Sequence, residues 1–143
     1  MSPENSLQRY LDAQEVAYPT ALAEMQRGRK QSHWMWYIFP QIQGLGRSAT
    51  AQHYALASEA EAAAYLAHPV LGSRLLAICR VLLTLPGRDP YQLLGSPDDL
   101  KLHSSMTLFS SLPGASPVFQ QVLDQYYAGR PDSNTLRLLR EHS

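Results

Sequence analysis

The stretch Pro69-Val-Leu-Gly-Ser-Arg-Leu-Leu-Ala-Ile-Cys-Arg-Val-Leu-Leu-Thr-Leu85 decides the fold class. On a helical wheel Leu71, Leu75, Ile78, Leu82 and Leu85 form one stripe, and Leu76, Cys79 and Leu83 widen it. A face that broad needs several neighbours at once, so this segment is predicted to be the central core helix of a bundle. Arg74 sits at the edge of the stripe and Arg80 points away from it.

Working outward, proline placement predicts many short helices, because proline suits the first helical turn, where its missing N–H has no intrahelical partner anyway. Asp89-Pro90, Ser96-Pro97 and Ser116-Pro117 read as N-cap plus N1 pairs, and Pro19 and Pro69 precede runs of helix formers. Ser58 with Glu61 reads as a capping box, while Gly28 and Gly129 stand where glycine ends a helix. Helices are expected at 6–15, 19–27, 32–39, 48–57, 59–67, 69–85, 90–94, 97–111, 117–128 and 132–142. No segment alternates with period two for long; Trp34 to Phe39, aromatic and closed by Pro40, is where a strand competes with helix. The expectation is all-α: a compact single domain over 1–143, many short helices around the central one.

Composition is compatible with that. With 143 residues, 45% hydrophobic and 17% charged, the chain has room for one domain and enough apolar content for a core. Twelve basic residues offset twelve acidic ones, so no global field attracts nucleic acid, and nucleic-acid binding is the less expected class. The lone Cys79 excludes an intrachain disulfide and any multi-cysteine metal site from one chain. The histidines show no ligand spacing, so neither a metal nor a cofactor is expected. The longest greasy run, interrupted by Arg80, is too short for a membrane span, and a cytoplasmic location is the expectation.

Two blocks are chemically dense. Arg27-Gly-Arg-Lys-Gln-Ser-His-Trp-Met-Trp-Tyr-Ile-Phe-Pro-Gln-Ile-Gln-Gly-Leu-Gly-Arg-Ser48 holds both tryptophans, and no acid occurs between Glu24 and Glu59. Arg27, Arg29, Lys30 and Arg47 are thus locally unneutralised and fit a phosphate or carboxylate. Trp34 or Trp36 would stack on a ring, Gln41 and Ser48 would supply polar contacts, and His33 is a candidate for proton transfer. The aromatics read equally well as core, and the glycines as a plain turn. In the second block, Ser96 to Phe109, helical spacing puts Asp98, Lys101 and Ser105 on one face between apolar flanks. That face reads either as a lysine-activated serine or ligand clamp, or as an Asp–Lys pair with locally bonded hydroxyls. Arg74 could present its fork to an anion or simply pair and snorkel.

The motifs Gly28-Arg-Lys30, Ser32-His-Trp-Met-Trp-Tyr-Ile-Phe-Pro-Gln41, Gly44-Leu-Gly-Arg-Ser48, Tyr65-Leu-Ala-His-Pro69 and Ser104-Ser-Met-Thr-Leu-Phe109 resemble the bacterial and fungal domain-of-unknown-function family numbered 1810. The resemblance also takes in Ala13-Gln14, Leu71 to Leu75 and Asp98 to Lys101, most of the chain. It implies a compact, mainly helical single domain and no activity. The calpastatin label carried by some members does not fit, since nothing here resembles a disordered, repetitive inhibitor.

Three functional classes follow. The first is a pocket for a small anionic, nucleotide-like ligand, with catalysis open, in which Arg29, Lys30, Arg47 and Arg74 meet the anion and His33, Asp98, Lys101 and Ser105 are the reactive candidates. The second is a non-catalytic interaction module exposing Trp34 to Phe39. The third is single-strand binding on a basic, aromatic groove.

Overall fold

The computed structural model describes residues 3–141. His142, the last residue of the final predicted helix, lies outside them. Among the described residues the elements are α1 (Pro3–Gln26), α2 (Met35–Ile38), α3 (Ala49–His53), α4 (Glu59–Ala67), α5 (Leu71–Thr84), α6 (Pro90–Leu94), α7 (Asp98–Ser110), α8 (Val118–Tyr127) and α9 (Ser133–Glu141). The fold is all-α, and among the described residues β pairing is confined to an isolated parallel bridge between Ile42 and Leu56.

α5 is the core helix the stripe predicted: Leu71, Leu75, Ile78, Cys79 and Leu82 are buried. It packs against α1, α4 and α8. α7 shares the centre, being buried from Ser104 through Phe109, and touches α4, α6, α8 and α9. Local chemistry explains several boundaries. Asp89 caps α6 with Pro90 at N1, as expected, and Ser58 accepts from the Glu61 N–H at 3.1 Å to open α4. α5 begins two residues late because the His68 imidazole supplies the cap, its Nδ1 accepting from the N–H groups of Val70 and Leu71 at 3.1 and 3.2 Å. α7 and α8 likewise start one residue after their prolines, so Pro97 and Pro117 occupy the cap position and not N1.

The largest departure is at Pro19. The segments predicted as two helices, 6–15 and 19–27, run as one, with Pro19 inside α1. Proline there forfeits the bond to the Glu15 carbonyl. Both residues are exposed, so water can take that carbonyl, while Gln14, Ala21, Glu24 and Met25 are buried on the opposite side and hold the halves in line. α3 is shorter than predicted because Leu56 turns away to donate to the Gln41 carbonyl at 2.8 Å, forming the bridge.

Among the described residues no single helix is long and apolar enough to cross a membrane; α4 and α5 reach that length and composition only as a pair, and they meet at 84°. That crossing is close. A Cβ on Gly72 would lie 2.0 Å from the Leu66 carbonyl oxygen, so only glycine fits where α5 starts against the end of α4.

Candidate functional site

The site is built on a carboxylate that the sequence reading passed over. Glu24, near the end of α1 and 2% exposed, accepts from the backbone N–H of Gln31 (2.8 Å) and Ser32 (2.9 Å), from the Ser32 hydroxyl (2.6 Å) and from the Trp34 indole (2.9 Å). Burial pushes its pKa upward, but these four donors outweigh that and hold the carboxyl at about 2. Glu24 therefore pins the loop that carries Lys30 and His33. Its claim on two successive N–H groups also explains why the predicted helix 32–39 shrinks to α2.

The pinned loop faces α7. Lys30 Nζ lies 2.8 Å from Asp98 Oδ2, and Lys101 Nζ lies 3.6 Å from Asp98 Oδ1. Each ammonium also sits over an indole, Lys30 at 5.1 Å from the Trp34 centroid and Lys101 at 4.9 Å from that of Trp36. The two dense blocks therefore meet, with one carboxylate between two lysines. They differ in freedom: the Lys30 side chain is 8% exposed, that of Lys101 20%.

Two cavities adjoin at Lys101. The first, about 400 Å³, is lined by Lys30, His33, Trp36, Asp98 and Lys101. The second, about 470 Å³, is lined by Gln41, Arg47, Ser48, Lys101, His103 and Asp132. Pro97 and Lys101 belong to both. Arg29 lies beyond Lys30, in a shallower depression with Tyr91.

Four candidates from the sequence sit differently. Trp34 is core, 1% exposed, its N–H spent on Glu24. Ser105 is fully buried, and its hydroxyl neither lines these cavities nor has a hydrogen-bond partner. Arg74 belongs to the α1–α5 contact, its guanidinium over the Tyr18 ring at 5.3 Å and donating to the Gln14 side-chain carbonyl at 3.3 Å. It lines neither cavity. Ser48 lines the second cavity, but its hydroxyl already accepts from the Ala51 N–H at 3.0 Å as the cap of α3. The apolar surface that an interaction module would display is absent at Trp34 to Phe39: Trp34, Met35, Ile38 and Phe39 are buried, Trp36 and Tyr37 half-buried.

The family described as "Protein of unknown function (DUF1810)" matches residues 4–139 of this chain. The chain belongs to the DUF1810 family. No curated protein matches it. The crystal structure of the conserved hypothetical protein Rv1873 from Mycobacterium tuberculosis is similar at 43% identity and a TM-score of 0.91, over 94% of this chain and 96% of that one.

In this DUF1810 chain sequence reasoning missed His103 and Asp132 as well as Glu24. His103 stacks on Tyr127, with ring centroids 4.3 Å apart and planes 4° from parallel, and its Nε2 meets the Arg130 carbonyl at 2.8 Å. Tyr127 in turn donates to the Asp99 carbonyl at 2.6 Å, so the pair is fixed from both ends. Nothing in the sequence around His103 hinted at this, because its partners come from the end of α8 and the turn after it. Among the described residues no group of three His, Cys, Asp or Glu side chains gathers. The cavity-lining groups able to move a proton include His33, Asp98, Lys101, His103 and Asp132.

Proposed function

We propose that this DUF1810 protein binds a small anionic, nucleotide-like ligand in the cleft between the segment 30–51 and α7, with Lys101 as its principal cation. The observation that supports it is the state of Lys101. An ammonium has three donors, yet among the described residues Lys101 makes only the 3.6 Å ion pair and the Trp36 ring contact, with no hydrogen bond. Its stem is largely covered, while the ammonium reaches the solvent of the cleft, so its donors are held in one place and stay available to an anion there. Lys30, by contrast, has Asp98 at 2.8 Å, so the carboxylate is committed mainly to the inner lysine. Arg47, exposed on the rim, adds a second cation within reach of the same ligand. Both cavities fall within the roughly 300–1,000 Å³ of small-molecule sites.

The test is a thermal-shift panel of nucleotides, sugar phosphates and dicarboxylates, with the corresponding nucleosides and sugars as neutral controls. A ligand present at a hundred times its dissociation constant adds about 2.7 kcal/mol to stability. At least one anion should raise the melting temperature, its neutral counterpart should not, and Lys101→Ala should abolish the shift while remaining folded. A panel in which no anion shifts the wild-type protein overturns the reading.

A further inference from the structure

The cleft has two chambers, and the residue between them is a cation. This placement, more than the presence of a pocket, constrains the ligand. A single phosphate ester would satisfy Lys101 from one side and leave the other chamber to water. Each chamber has its own exposed positive or titratable group facing it, His33 in the first and Arg47 in the second. Each also has a flat ring in its lining, Trp36 in the first and His103 in the second. Neither ring is loose: Trp36 is held under the Lys101 ammonium, and His103 is clamped on Tyr127 and the Arg130 carbonyl. Rigid rings of this kind recognise planar groups at little entropic cost.

We infer that the ligand is a two-armed one of the dinucleotide class, its phosphodiester or pyrophosphate linker lying at Lys101 and one nucleoside arm entering each chamber. The inference rests on the anion-binding reading above and narrows it. The acids lining the chambers are already engaged: Asp98 is paired with Lys30 and Lys101, and Asp132 Oδ2 accepts from the Thr135 N–H at 3.1 Å and from the Thr135 hydroxyl at 2.6 Å. The charge left open along the cleft is therefore positive and centred on Lys101, which an anionic linker complements.

Isothermal calorimetry with AMP and with diadenosine diphosphate tests this. The dinucleotide should bind one per chain and at least about tenfold more tightly than AMP, since joining the arms makes the second contact intramolecular. His33→Ala and Arg47→Ala each change an exposed side chain that lines only one chamber, so folding should be preserved. Each should weaken the dinucleotide several-fold, and the double variant should bring its affinity down to that of AMP. If AMP binds as tightly as the dinucleotide, or if only one chamber's variant matters, the two-armed ligand is wrong and the simpler anion site stands. The same holds if another anion of the panel binds and the dinucleotide does not. If no anion binds at all, both readings fall together.

Discussion

Glu24 shows how one buried carboxylate can organise a loop from a distance. Its value of about 2 lies below the ordinary 4.5, so folding favours the charged form. The resulting stabilisation is complete above pH 4.5 and disappears as pH falls through about 2. That displacement is worth roughly 3 kcal/mol, and acid titration of stability should show Glu24→Gln losing this segment of the pH dependence. The loop anchor was illegible in the sequence, because Glu24 reads as a helix-terminal acid and its partners lie seven to ten residues on, in no recognised cap motif. Ser105 is the opposite case. Spacing alone made it a candidate nucleophile, but a hydroxyl fully buried without a partner costs about 1–3 kcal/mol. Ser105→Ala should therefore leave ligand binding intact and raise stability by up to about 1 kcal/mol in chemical denaturation; a loss of stability would mean that the hydroxyl has an acceptor after all.

At the level of elements, the readings that succeeded were those whose cause is local. The bounds of α4 and α6 follow from Ser58 and Asp89, whose side chains bond the N–H groups one turn on, and the buried face of α5 follows from its own periodicity. The readings that failed were decided by other parts of the chain. Pro19 looked like a start because proline prefers N1, and only contacts on the far side of α1 make a continuous helix cheaper than two. Arg74 was rightly placed at the edge of the stripe, but which helix lies at that edge is a tertiary matter, and it turned out to be α1. The α4–α5 crossing was equally invisible, since Gly72 inside a helix looks merely permissive. With a Cβ only 2.0 Å from the Leu66 carbonyl, Gly72→Ala cannot be accommodated by a side-chain rotation. The two helices must separate, and the variant should lose about 3 kcal/mol or more, beyond the usual cost of overpacking; a melting temperature unchanged from wild type would show that the crossing is looser than described.

For the molecule as a whole, neutrality hides a local asymmetry: Arg29, Lys30, Lys101 and Arg47 follow one another along the cleft, with Asp98 offsetting part of that charge. Four cations can engage at most four phosphates, so any single-strand binding should weaken with salt at a log–log slope no steeper than about −3, taking ~0.7 per phosphate. A filter-binding titration with a steeper slope would reveal a larger basic surface and displace the small-ligand reading. α1 carries a different consequence. Arg9 reaches the Ala55 carbonyl and Glu61, Gln14 reaches Tyr37 and Tyr65, and Tyr18 reaches the Arg74 carbonyl, spans of 23 to 56 residues along the chain. During synthesis this helix leaves the ribosome before its partners and must wait with its hooks unfilled until the segment ending near Arg74 has emerged. Folding is thus postponed past the chain's midpoint, and a nascent chain arrested before that point should hold α1 open to proteases and chaperones.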